Sequence, residues 1–293
     1  MPQLHCNNVD IEYDITGDGE PLVLIMGIGA QMILWPDALV RAIADRGYQV
    51  IRFDNRDVGR STWLDHLGVP SIPRMTARAM MGIRVKAPYT LWDMAADTVG
   101  LLDGLGHERA HIAGASMGGM VAQCVAIRHP ERLLTLTSIM STTGDRRLFR
   151  PAPRAVRALL GRRPNTRAGA EEHFVKFSRA VSGSRFPVDE PKVREVAGQC
   201  FDRGNHPVGF HRQWAAILAS GNRTRTLSEV ETPTLVIHGS EDPLIHPDGG
   251  RATAKAIENA QLHMIEGMGH SLPEGMWPEF IDTLCGHLEA NPA

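Results

Sequence analysis

The residues with the clearest chemical potential lie in HIAGASMGGMVAQ, residues 111–123, where Gly114 and Gly118 flank Ser116 and Gly119 follows. Glycine loses more conformational freedom on folding than any other residue, so three around one serine mark a backbone course that other residues cannot follow. The Gly-x-Ser-x-Gly spacing fits a sharp strand–turn–helix in which the serine sits at strained backbone angles, presents its hydroxyl outward as a nucleophile must, and has small neighbours that let strand and helix pack closely. An ordinary Gly/Ser loop satisfies the same three positions, so the surrounding elements have to decide.

Those elements are legible as short apolar runs alternating with amphipathic segments. The runs PLVLIMG (21–27), YQVIRFD (48–54), AHIAGAS (110–116), LLTLTSIM (133–140), PTLVIHG (233–239) and QLHMIEG (261–267) have strand length and end in Gly, Asp, Ser or Met. Between them PDALVRAIADRG, with Gly47 as a C-cap, LWDMAADTVGLLDGLG, and MVAQCVAIRHP, stopped by Pro130, read as helices. Strands apolar on both faces in β-α-β-α order predict an α/β fold, a mostly parallel sheet with helices on both faces. LHCNNVDIEYDITGDGEP reads as an antiparallel hairpin at one edge. The alternation breaks over 141–230, where prolines and arginines accumulate on a helical pattern. This gives a core of 1–140 and 231–293 with an inserted helical cap over 141–230. A second irregular piece, 63–88, carries Met75, Met80 and Met81 and is expected to cross near the same sheet edge.

Sites in open parallel sheets form beyond the carboxyl ends of the strands. After the successive runs come Met26-Gly27-Ile28-Gly29, Asp54-Asn55-Arg56, the serine turn, Ser240-Glu241-Asp242 and Met268-Gly269-His270. A serine, an acid and a histidine therefore fall, in that chain order, at one edge of the predicted sheet.

Five segments in this order, MGIG, FDNRDVGRST, GASMGG, HGSEDPL and GMGHSLPE, resemble the α/β-hydrolase fold superfamily over nearly the whole chain. GIGAQMILWPDALVRAIADRGYQVIRFDNRDVGRST is similar to its serine esterase branch, that of aclacinomycin methylesterase and the actinobacterial carboxylesterases. The resemblance implies Ser116 as nucleophile, His270 as general base and Asp242 as the acid that orients it. A serine hydroxyl is too weakly acidic to attack an ester at neutral pH, so an imidazole must take its proton and return it to the leaving alcohol. It also implies the backbone N–H groups of Ile28 and Met117 as the oxyanion hole. The usual His-Gly of that loop is Met26-Gly27 here, which leaves the backbone donor in place and makes the loop more apolar. The expected reaction is hydrolysis of a small, apolar carboxylic ester without cofactor. Lactone opening and removal of a polyketide methyl ester use the same machinery, and a non-catalytic ligand-binding protein of this fold is a further alternative. Haloalkane dehalogenase and epoxide hydrolase chemistry is disfavoured, because those relatives carry an aspartate where Ser116 stands.

Competing assignments narrow on residue chemistry. His270 has a bland alternative as a strand-end histidine bonded to backbone. Glu241 and Asp248 compete with Asp242 as turn or cap acids, and His238, His246 and His263 read as structural or surface residues. His246 and Asp248 lack a third ligand at sensible spacing, so no metal is expected. Gly27-x-Gly29 with Asp54 after the next run imitates a dinucleotide fingerprint, but the third glycine position is Met32; Asp54-Asn55-Arg56 is read as a loop-tying network. The arginines from Arg146 to Arg167, uninterrupted by acid, read as a solvated surface ahead of an anionic-ligand or membrane-surface role. Over 293 residues, 43% hydrophobic and 22% charged, the composition is that of an ordinary globular protein, and a net charge of −2 gives no reason to expect nucleic acid. Met1–Asn8 lack signal-peptide features and the run 22–35 is too short to span a membrane, so a cytoplasmic location is expected. Cys6, Cys124, Cys200 and Cys285 are widely separated and read as core residues. Oligomeric state is not fixed by any of these features.

Overall fold

In the computed structural model, which describes residues 1–161 and 164–292, the N-terminal hairpin is β1 (Gln3–Cys6) and β2 (Val9–Thr16). Asn7 and Asn8 turn it with φ of 46° and 62°, the positive pair that matches the right-handed twist of the two strands. The six apolar runs form β3 (Glu20–Ile25), β4 (Tyr48–Phe53), β5 (Ala110–Ala115), β6 (Leu133–Ile139), β7 (Thr234–Gly239) and β8 (Gln261–Ile265). Most stop one or two residues before the runs do, because the functional turns that follow need non-extended backbone. The sheet has eight strands among the described residues, in the order β1-β2-β4-β3-β5-β6-β7-β8, and from β4 to β8 every pairing is parallel.

The helices are α1 (Asp37–Ala44), α2 (Ile72–Met80), α3 (Leu91–Leu105), α4 (Met117–Arg128), α5 (Pro153–Leu159), α6 (Arg167–Val181), α7 (Glu190–Arg203), α8 (Pro207–Ser220), the single turn α9 (Thr224–Leu227), α10 (Asp248–Ala256) and α11 (Trp277–Glu289). Period-2 alternation divides the core into two layers. Leu22, Leu24 and Val50 pack with Leu39, Val40 and Ile43 of α1 and with Phe280 and Leu284 of α11. Val23, Ile25 and Ile51 pack with Leu101 of α3 and Val121 of α4 on the other face. Each such side chain, fully buried, contributes about 1.5–3 kcal/mol, which fixes the register and hence where each strand ends. No helix among the described residues is long and apolar enough to cross a membrane.

Between β6 and β7 the described residues are helical, and two arginines tie them to the loop after β4. Arg212 of α8, fully buried, grips Asp57 through both carboxylate oxygens (2.7 and 2.8 Å), while Tyr89 donates to the same carboxylate at 2.7 Å. Arg203 of α7 reaches Glu12 (2.7 Å), Asp54 (3.0 Å) and Gln31 (2.6 Å). Removing one member of such a buried pair costs about 3–5 kcal/mol, since the other charge is left without a partner.

Two expectations are corrected. Residues 63–88 are not irregular throughout: α2 places Met75 and Ala79 against Ala215 and Leu218 of α8, with Val85 closing the small cluster. Pro70 and Pro73 and the Met/Arg composition obscured that spacing in the sequence. Cys200 is only partly buried, whereas Cys6, Cys124 and Cys285 are core residues; burial pushes the Cys124 and Cys285 thiols up to about 11.

Candidate active site

Ser116 stands at the junction of β5 and α4 with φ 57° and ψ −116°, a conformation costing about 1–3 kcal/mol for a non-glycine residue. The strained angles belong to the serine itself; the glycines serve close approach. A Cβ on Gly114 would lie 2.1 Å from the Gly118 carbonyl oxygen, one on Gly118 would lie 2.0 Å from that of Ile25, and one on Gly119 would lie 2.7 Å from the Ser141 Cβ. Strand and helix can thus meet only if these positions lack side chains. The turn is held from the next strand: the Ser116 N–H donates to the Ile139 carbonyl (2.9 Å) and the Ser141 hydroxyl to the Ser116 carbonyl (2.7 Å).

At the ends of β7 and β8 the structure brings Asp242 and His270 together, with His270 Nδ1 2.6 Å from Asp242 Oδ2 and both residues buried. The second carboxylate oxygen, Oδ1, accepts the N–H groups of Leu244 (2.8 Å) and Ile245 (2.9 Å). Burial pushes the Asp242 carboxyl up, but the facing His270 and the hydrogen bonds from His238 and His270 outweigh it and hold the group well below the usual carboxylate range. An ionised acid on Nδ1 requires Nδ1–H, which leaves Nε2 as the basic nitrogen of a neutral imidazole. The His270 N–H donates to Val181 O (2.8 Å), so the end of α6 also holds the histidine loop.

The competing acids are engaged elsewhere. Glu241 accepts the N–H and the hydroxyl of Ser184, each at 2.7 Å. Asp248, at the start of α10, is exposed to His246 (3.2 Å) and Arg251 (3.3 Å). His263 pairs with Glu279 at 3.0 Å.

The MGIG loop lies directly against the serine, since a Cβ on Gly27 would be 3.3 Å from Ser116 Cβ and 3.7 Å from its Oγ. Ile28 follows it, and Met117 is the first residue of α4. The next N–H, that of Gly29, donates to Gln213 Oε1 at 2.6 Å, while Gln213 Nε2 donates to Arg56 O at 2.8 Å. Asp54, Asn55 and Arg56 form the network expected of them: Asp54 accepts the Met32 N–H (2.7 Å), Asn55 donates to Met26 O (3.0 Å), and Arg56 pairs with Asp97 (2.5 and 2.6 Å). The dinucleotide alternative loses its acid, because Asp54 is fully buried in these contacts.

Residues 20–274 match the model of the α/β-hydrolase fold family. The chain belongs to that family. Among curated relatives it is 28% identical to rhodomycin D methylesterase of Streptomyces peucetius, over 99% of each chain. It is 26% identical to a putative carbamate hydrolase of Azorhizobium caulinodans, over 99% of this chain and 100% of that one. Among solved structures, the enol-lactonase of Burkholderia xenovorans LB400 superposes with a TM-score of 0.74 at 23% identity, covering 98% of this chain and 100% of that one.

Within this hydrolase fold, three residues at the site escaped the motif reading. Gln213 sits on α8, 184 residues from Gly29 and 157 from Arg56, the two loop residues it bonds, and no local signal marks it. Ser141 is an ordinary residue after β6 until its hydroxyl is seen on the elbow. His238, read as structural or surface, is fully buried; its Nε2 donates to the Ile245 carbonyl at 2.8 Å and stands 3.4 Å from Asp242 Oδ2. A cavity of about 110 Å³ opens beside Gly29, with mixed walls: Leu34, Phe174 and Phe201 on the apolar side, Gln31, Asp57 and His206 on the polar side. Ser116 and His270 are not in its walls.

Proposed function

We propose that this hydrolase-fold protein is a serine esterase that cleaves small apolar carboxylic esters through an acyl-enzyme. Ser116 Oγ attacks the ester carbonyl as His270 Nε2 takes its proton; the alkoxy C–O bond then breaks and the same proton goes to the departing alcohol. Water repeats the sequence, giving its proton to His270 as its oxygen attacks the acyl carbon, and Ser116 leaves with that proton. Asp242 holds the imidazole in the required tautomer and stabilises its cation. The N–H groups of Ile28 and Met117 receive the developing oxyanion.

The observation that carries this reading is the 2.6 Å contact of His270 with an ionised, fully bonded Asp242 at the sheet edge that also holds the strained Ser116. The methylesterase and hydrolase names of the relatives support the reaction class. The helical residues within 141–230 act in this proposal as a cap over a core of 1–140 and 231–293.

A panel of p-nitrophenyl esters and lactones, assayed with wild type and Ser116→Ala, tests the proposal. Wild type hydrolyses esters, is labelled by a fluorophosphonate probe and is indifferent to EDTA. Ser116→Ala keeps its melting temperature and loses both turnover and labelling. Esterase activity retained in a clean Ser116→Ala preparation overturns the nucleophile; loss with EDTA and recovery with zinc overturns the mechanism.

A further inference from the structure

Two sequence features remain outside this chemistry: the Met-rich run after Met75 and the arginines after Asp145. The fold puts them side by side. α2 ends at Met80, the chain turns at Gly82 with φ 73°, and the Arg146 guanidinium packs on that turn, 2.5 Å from where a Gly82 Cβ would stand. The joint surface exposes Met80 (53%), Met81 (65%), Ile83 (43%) and Phe149 (49%). Exposed beside these apolar groups are Arg84, Lys86, Arg146 and Arg150. None of the ion pairs among the described residues engages these four cations. Asp145, the nearest acid in the chain, is occupied by Arg147 at 2.5 Å, and residues 66–92 contain no Asp or Glu. On a chain of net charge −2, this is a local concentration of positive charge around projecting apolar side chains.

We propose that the end of α2 and the segment after β6 form a docking surface for anionic lipid bilayers. The argument is charge complementarity combined with the kind of apolar group presented. Flexible Met side chains with an Ile and a Phe, projecting from a helix end and a turn, suit shallow insertion into a fluid interface. Unpaired Arg and Lys at their base sit at headgroup level, where each strengthens binding to an anionic surface about fivefold. The surface is joined to the serine turn along the chain. The segment that carries it leaves β6 through Ser141, whose hydroxyl bonds the Ser116 carbonyl, and reaches Arg146 five residues later. A protein held there takes apolar esters from the bilayer rather than from water.

The test is co-sedimentation of the full chain with vesicles of phosphatidylcholine alone or with about one third phosphatidylglycerol, at low and high salt, since screening shortens the reach of surface charge. Binding is expected to need phosphatidylglycerol and to fall with salt. Arg84→Gln/Arg150→Gln should weaken it about 25-fold, from two contributions of about fivefold. Met80→Ser/Met81→Ser should weaken it at any salt. Turnover of p-nitrophenyl acetate in solution should be unchanged in both variants, which separates failure of docking from failure of the esterase reading. If the methionine pair alters the melting temperature, the exposed arginine pair alone decides. Equal binding to both vesicle types, or binding unaffected by the arginine variant, overturns the proposal. So does a concentration-dependent dimer that the methionine variant abolishes, because the surface would then serve a second copy of the chain.

Discussion

Replacing Asp242 with asparagine changes one atom and forces a choice on the whole acid loop. Asp242 accepts on both oxygens: Oδ1 from the Leu244 and Ile245 N–H groups, at 2.8 and 2.9 Å, and Oδ2 from His270 at 2.6 Å. Asparagine has one acceptor oxygen and one NH₂ donor, so only one side can be kept. Turning the NH₂ toward the loop sets it against the two part-buried N–H donors, at up to about 1–3 kcal/mol for each one left unsatisfied. Keeping the oxygen on the loop sets the NH₂ against His270 Nδ1, and there the imidazole can adapt by moving its proton to Nε2. The second arrangement wins by up to about 2–6 kcal/mol on that count, from the same per-donor cost. The fold survives and catalysis does not, because Nε2 can no longer accept the serine proton. Asp242→Asn is therefore expected to lose about 10³–10⁴ in kcat, or about 4–5.5 kcal/mol in the barrier, with little change in KM or melting temperature. Glu241→Gln and Asp248→Asn, whose carboxylates face Ser184 and solvent-exposed partners, should stay within about tenfold of wild type by the same scale. Initial rates on a p-nitrophenyl ester beside thermal denaturation decide the matter. A folded Asp242→Asn protein with kcat within tenfold of wild type, or a crippled Asp248→Asn, refutes the reasoning.

The oxyanion assignment separates backbone from side chain. Ile28→Ala should alter mainly KM, while Ile28→Pro, which deletes the N–H, should lower kcat about 10²–10³-fold. A stable Ile28→Pro enzyme with near-normal kcat removes Ile28 as donor, and Gly29 is a poor substitute because its N–H already serves Gln213. Stability should depend on pH through buried histidines. Burial lowers the pKa of His111, against the opposing pull of Glu20, and burial also lowers that of His287. As pH falls below about 6.5 the unfolded chain takes up these protons before the folded protein does, so stability is complete above that value and declines below it. Melting temperature should drop between pH 7.5 and 5.5, less steeply in His111→Gln; a rise over that interval contradicts the account.

Local chemistry made much of this protein readable before its tertiary structure. Apolar runs bounded by turns marked the strands and a mostly parallel sheet, since burial on both faces leaves few alternatives, and LHCNNVDIEYDITGDGEP read as the edge hairpin. The GASMGG, HGSEDPL and GMGHSLPE segments put Ser116, Asp242 and His270 at strand ends, and the fold brings the last two into contact. Other facts depend on groups distant in the chain and required the tertiary structure. Close strand–helix approach at Gly114 and Gly118 follows from the motif, but which atoms crowd them, the Gly118 and Ile25 carbonyl oxygens, only the packing shows. The resemblance already pointed to Asp242, but only the packing shows that it faces an imidazole while Glu241 faces Ser184. Gln213 comes from α8 to hold the Gly29 N–H, and Arg146 comes to rest on the turn after α2. Sequence patterns report periodicity and local backbone preference, whereas a hydrogen bond across 184 residues reports only how the layers pack.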